Sequence, residues 1–162
     1  MSGPDTAREK LPASFPAKRS VRLWLRLLSC SMTVEKAVRS RLRAEFDTTL
    51  PRFDVMAALE RAPGGLTMTE LSEHLLVSNG NVTGLVQRMA QDGLAARRAV
   101  DGDRRSQKVT LTPAGRAAFA KMARAHEGWI NEMFGGLTEA EAEQLRGLLG
   151  KLHAAMEGRD GR

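Results

Sequence analysis

The sequence predicts a mainly α-helical chain with one small β-hairpin, and three observations lead to that class. Apolar residues recur at three- and four-residue steps along most of the chain beyond residue 20. Helix-start signals punctuate those runs, each a hydroxyl or proline placed where a first turn needs it. One stretch, from Leu94 to Leu111, reads instead as two extended segments around a polar tip. Hydrophobic residues make up 42% of the 162, enough for a packed core, although aromatics at 4% add little to it.

Residues 1–19 carry Pro4, Pro12 and Pro16 with little apolar periodicity and are expected to form a flexible arm. Residues 20–162 are expected to form a single domain. Its first helix covers about 20–48: Val21, Leu25, Leu28 and Met32 share a face that Val34, Val38, Leu42 and Phe46 continue. Pro51 suits the first turn of a short helix through about Ala62, with Val55, Met56 and Leu59 inward, until Pro63-Gly64-Gly65 stops it. Thr67 and Glu70 have the spacing of a capping box, hydroxyl at the N-cap and carboxylate three residues on. The helix they start packs through Leu71 and Leu75. A turn at Leu76-Val77-Ser78 leads to another, from about Asn79 to Asp92, closed by Gly93 as a left-handed cap. Leu94–Val100 and Gln107–Leu111 then enclose the tip Asp101–Ser106. Thr112-Pro113 starts a helix to about Phe134, Gly135-Gly136 breaks it, and Thr138–Glu141 caps a last helix through about Met156.

Most of the chemistry lies between Thr67 and Leu111. On the helix from Asn79, the residues Val82, Leu85, Val86 and Met89 form one apolar stripe. The other side carries Gly80, Thr83, Gly84, Gln87 and Gln91, with Arg88 at its margin. A glycine inside a helix costs about 1 kcal/mol against alanine. Two of them make sense if the backbone must approach another surface closely, as in a major groove. Ser78, Asn79 and Asn81 at the helix start suit base edges and phosphates. An exposed polar face alone is equally what solvation would produce. The hairpin changes the balance, because Arg97, Arg98, Arg104, Arg105 and Lys108 lie on or beside it against only Asp101 and Asp103. A basic ribbon directly after a helix-turn-helix is a wing that can meet phosphates or an adjacent minor groove. The net charge of +6 agrees with an anionic partner. The expectation is a winged helix-turn-helix over about 50–112 that binds double-stranded DNA.

These residues also carry a family resemblance. Leu66-Thr67-Met68-Thr69-Glu70-Leu71, Val77 to Val86 and Asp92-Gly93-Leu94 resemble the MarR (multiple antibiotic resistance regulator) family, as do Asp103-Arg104-Arg105 and Val109-Thr110-Leu111-Thr112-Pro113-Ala114-Gly115. The resemblance covers about Ser20 to Met156. It implies a homodimer joined through the terminal helices, about 20–48 and 113–156, that represses transcription at a palindromic operator until a small molecule or oxidant releases it. It also implies that Asp103 braces the wing and Arg105 reaches the minor groove. Arg22-Leu23-Trp24-Leu25-Arg26-Leu27-Leu28 and Thr49-Leu50-Pro51-Arg52-Phe53-Asp54 are similar to a narrower branch. That branch responds to hydroxycinnamoyl-coenzyme A thioesters and controls breakdown of plant-derived aromatic acids.

The residues suggest where such an effector would sit. No acidic residue occurs between Leu11 and Val34, whereas Lys18, Arg19, Arg22 and Arg26 do. Cations stacked at four-residue steps near a helix N-terminus repel one another and oppose the helix dipole, yet they suit several phosphate charges. Trp24, Leu28 and Trp129 are candidates for the apolar end of the pocket. The rivals are a solvated basic face, extra DNA contacts, a free aromatic acid as effector, or a redox sensor acting through Cys30, whose ordinary reading is a small buried apolar residue. An enzyme is not expected: His74, His126 and His153 are dispersed, and HExxH, P-loop, GxSxG and GxGxxG patterns are missing. A sequence-neutral architectural DNA binder fits poorly with the polar, glycine-bearing recognition face. No metal or cofactor is expected. The lone cysteine, and the want of an apolar run long enough for a leader or a membrane span, suggest a cytoplasmic protein.

Overall fold

The computed structural model describes residues 19–75, 79–100 and 103–160. Among them six helices and three strands follow in the order α1 (Arg19–Phe46), α2 (Leu50–Arg61), β1 (Leu66–Thr67), α3 (Met68–Leu75), α4 (Asn79–Gln91), β2 (Ala95–Val100), β3 (Asp103–Leu111), α5 (Pro113–Phe134) and α6 (Glu139–Asp160). The predicted flexible arm lies outside the described residues except for Arg19, which is already helical. Packing divides the chain into one unit up to Met122 and a second from Ala123, with the boundary inside α5. No helix among the described residues is long and apolar enough to cross a membrane.

The helix starts follow the predicted caps. The Thr49 hydroxyl accepts from the Arg52 amide ahead of Pro51 in the first turn of α2. In the capping box the Glu70 amide donates to Thr67 Oγ1, at 3.2 Å, and the Thr67 amide donates back to Glu70 Oε2, at 2.7 Å. Thr138 and Glu141 repeat this reciprocal pattern ahead of α6. Each box satisfies donors that a helix start otherwise leaves open. Replacing Thr67 by alanine is therefore expected to cost about 1 kcal/mol in urea unfolding. The Thr67 amide, and secondarily its hydroxyl, hold the Glu70 carboxyl below the usual glutamate range. A depressed folded-state value means that this contribution is complete above the ordinary range and is lost as pH falls through the lowered one. A pH titration of Glu70 by NMR should show the low value in the parent chain and only a partial rise in Thr67→Ala, which removes the hydroxyl but keeps the amide.

The core of the first unit joins α2, α3, α4 and the sheet. Val55, Met56 and Leu59 of α2, Leu71 of α3, Val82, Val86 and Met89 of α4, and Val109 of β3 are each at most 2% exposed. Burying an aliphatic side chain of this size stabilises by about 1.5–3 kcal/mol. Val38 and Leu42 bring the second half of α1 into this core, and Phe119 of α5 meets Phe53 with ring centroids 5.5 Å apart. The first half of α1 is different: Val21 and Met32, expected on its inward face, are 43% and 61% exposed. In the second unit Trp129 is buried.

Two sheet features depart from expectation. The sheet has three strands in the order β1-β3-β2, not two, because Leu66 and Thr67 pair with Val109 and Lys108. A two-residue strand has no alternation to reveal it, and long-range pairing supplies it. The second strand also begins at Asp103, inside the predicted tip, with Val100 paired to Asp103 after a register shift at Ala99/Val100. Such an irregularity tightens the twist of a ribbon toward its end.

Candidate nucleic-acid interface

Helix α4 owes its position to its apolar stripe. Val82, Val86 and Met89 are buried and Leu85 is half-buried, so the opposite side must face outward. Asn81, Thr83, Gln87 and Arg88 are exposed there. A Cβ built on Gly84 would meet nothing within 4 Å, so the helix presents bare backbone at the middle of this face. Asn79 and Gly80 lie in the first turn of α4. Ser78 lies outside the described residues, as does the side chain of Asn79.

The C-terminal end of α4 is held firmly. Gly93 takes a left-handed φ of +74°, as its predicted cap role requires, and the Leu94 amide donates to the Met89 carbonyl. From the start of α5, the Thr112 hydroxyl donates to the Gly93 carbonyl at 2.6 Å and the Thr112 amide to the Leu94 carbonyl at 3.1 Å. From α2, Arg52 reaches Asp92, with its guanidinium 2.6 Å from Asp92 Oδ2. Sequence reasoning missed this pair. Its partners stand 40 positions apart, and helical spacing offered Asp92 a nearer cation in Arg88.

The ribbon beside α4 is basic as expected. Arg97 and Arg98 are exposed, opposite Val109 and Lys108 of β3, so strand alternation sends them to opposite faces. Asp103, Arg104 and Arg105 belong to β3, but their side chains lie outside the described residues, and so does the role expected for each. On the candidate effector side, Arg22, Trp24 and Arg26 are exposed on α1 and Leu28 is half-buried. Trp24 is 56% exposed in the single chain, whereas Trp129 belongs to the second unit and is 7% exposed. Lys18 lies outside the described residues. Cys30 is exposed, not buried as a lone helical cysteine ordinarily would be, because it stands on the part of α1 that the core does not cover. No group of three or more His, Cys, Asp and Glu side chains among the described residues could hold a metal ion.

In the second unit α6 exposes an apolar row. Leu145, Leu148, Leu149 and Leu152 repeat at i, i+3, i+4 and i+7 and are each between 39% and 59% exposed. That spacing places the four leucines along one side of the helix.

Comparison with known proteins agrees with this geometry. A MarR family model matches residues 46–106, from the end of α1 through the start of β3. The transcriptional activatory protein BadR of Rhodopseudomonas palustris is 36% identical over 104 residues, which cover 63% of this chain and 59% of that protein. A MarR family transcriptional regulator from Silicibacter pomeroyi superposes with a TM-score of 0.72 at 31% identity, over 85% of this chain and 94% of that one. A mutant MarR from E. coli, complexed with operator DNA, has the same fold at a TM-score of 0.74 and 24% identity, covering 86% of this chain and 99% of that one.

Proposed function

This chain belongs to the MarR family, and from that premise we propose that it is a transcriptional regulator that grips a palindromic operator as a homodimer and releases it when a small effector binds. The observation that carries the reading is the outward face of α4, where Asn81, Thr83, Gln87 and Arg88 surround the open backbone at Gly84. In a major groove, Asn or Gln can pair with adenine through two hydrogen bonds and Arg with guanine. Arg97, and Arg104 and Arg105 by resemblance, would add contacts to phosphates or the minor groove. The operator complex of the E. coli relative supports the same use of the fold.

Two such helices need a two-fold axis, with half-sites about 34–36 Å apart. The exposed leucines of α6 supply a surface for that partner. Light scattering at micromolar concentration should give twice the chain mass, and Leu149→Glu should shift it to the mass of one chain. Selection from a random duplex pool should return a palindrome. A stable monomer that binds as tightly as the parent sinks the dimer, and recovery of unrelated sequences sinks specific recognition.

For the effector, the exposed Arg22 and Arg26 stand one helical turn apart on α1, a pair that suits the phosphates of an aromatic acyl-coenzyme A thioester. Repression, rather than activation, comes from the family resemblance; BadR carries the name of an activator. A second reading, release by oxidation, draws on the exposure of Cys30. Titrating the operator complex with an aromatic acid, its coenzyme A ester and peroxide separates the triggers. Release by the ester alone, lost in Arg22→Ala, is expected. Release by the free acid at equal concentration would replace it, and peroxide release abolished by Cys30→Ser would make the thiol the sensor.

A further inference from the structure

The Arg52–Asp92 ion pair is placed against the preference of both helices that carry it. Arg52 is a cation in the first turn of α2, and Asp92 is an anion immediately after the last turn of α4. A helix dipole favours the opposite sign at each end. Local stability therefore does not explain either charge, and the tie between them does. The Arg52 side chain is 23% exposed, and its guanidinium is engaged by Asp92. Its Nε is buried without a hydrogen-bond partner, leaving contact with Asp92 through one terminal nitrogen. Arg88, one turn before Asp92 on α4, is the partner that helical spacing would supply, yet it is exposed and makes no ion pair among the described residues.

We propose that Arg52 is a positioning residue for DNA recognition: by engaging Asp92 it pins the C-terminal end of α4 to α2 and keeps that carboxylate off Arg88, which stays available to the DNA. The proposal rests on the reading of α4 as the recognition helix. Without Arg52, a carboxylate at the end of α4 would turn to Arg88, withdrawing a cation from the interface and loosening the helix end together. Thr112 would then hold the α4 corner from one side only.

A double-mutant cycle in the full-length chain tests this, using a duplex selected from a random pool by the parent protein, with thermal unfolding run on every variant. Arg52→Ala should weaken binding about tenfold, and Asp92→Asn about threefold through loss of the tie. The double variant should match Asp92→Asn alone, because with no carboxylate to restrain the loss of Arg52 costs nothing further. Arg52→Lys, which keeps a single-pronged cation, should stay within about twofold of the parent. Independent costs that multiply in the double variant would make Arg52 an ordinary phosphate contact and overturn the proposal. So would tighter binding by Asp92→Asn in both backgrounds, the mark of simple repulsion between its charge and DNA. Lower unfolding temperatures with unchanged affinity would reduce the pair to a stability element and overturn it as well. If Arg52→Ala does not fold, the comparison of Asp92→Asn with Arg52→Lys still decides, since only loss of the tie should weaken binding. A parent chain that selects no duplex sinks the recognition-helix reading itself, and this proposal with it.

Discussion

Gly84→Leu is expected to abolish operator binding while making the folded chain slightly more stable. The two effects have separate causes. A Cβ at position 84 meets nothing within 4 Å in the chain itself, so a side chain there creates no internal clash. A glycine in the helix interior is about 0.8–1 kcal/mol less favourable than alanine, and leucine is close to alanine. Unfolding should therefore shift to higher denaturant by most of that amount. The same side chain projects between Asn81, Thr83, Gln87 and Arg88, where the groove floor must come close. Losing two base contacts of about 1–3 kcal/mol each weakens binding by on the order of a hundredfold or more. Gly84→Ala should show the same gain in stability with a smaller loss of affinity. Titration of the selected duplex by fluorescence anisotropy, paired with urea unfolding, reads both quantities. Unchanged affinity in Gly84→Leu would show that another face of the protein meets DNA.

The same kind of substitution at Gly115 should do the reverse. Gly115 lies in the first turn of α5, where its amide donates to the Thr112 hydroxyl at 3.0 Å. A Cβ there would collide with the Leu94 carbonyl oxygen and stand 3.3 Å from Leu111 Cδ2. The first obstacle is backbone, so no side-chain rotation relieves it. Gly115→Ala must push the start of α5 away from the α4–β2 corner, stretching the bonds from Thr112 to the Gly93 and Leu94 carbonyls. Overpacking costs about 1–3 kcal/mol, and each hydrogen bond left unmade in a confined place adds about 1 more. A total of roughly 2–4 kcal/mol is expected in urea unfolding, with weaker operator binding because the same corner terminates α4. A variant as stable as the parent would mean that the corner yields without cost.

Glycine alone does not announce which of these it is, and that contrast separates what can be read from the chain from what cannot. The sequence by itself determined the helices, their starts and the outward face of α4. The capping boxes at Thr67–Glu70 and Thr138–Glu141, the α5 start at Pro113, the left-handed Gly93 and the buried stripe of Val82, Val86 and Met89 all follow from interactions spanning three or four residues. Such interactions are written in local spacing, because helical geometry brings those positions together whatever the rest of the chain does. The basic character of the ribbon was legible too, from composition alone. Only the tertiary structure decided that Leu66 and Thr67 add a strand to β3, that Gly115 faces the Leu94 carbonyl while Gly84 faces open space, and that Asp92 pairs with Arg52 instead of Arg88. Exposure of Cys30 belongs with these, since it depends on which part of α1 the core covers. Each is a meeting of residues far apart in sequence. Which partners meet is set by how the buried faces of several elements fit together at once, and no local spacing encodes that choice.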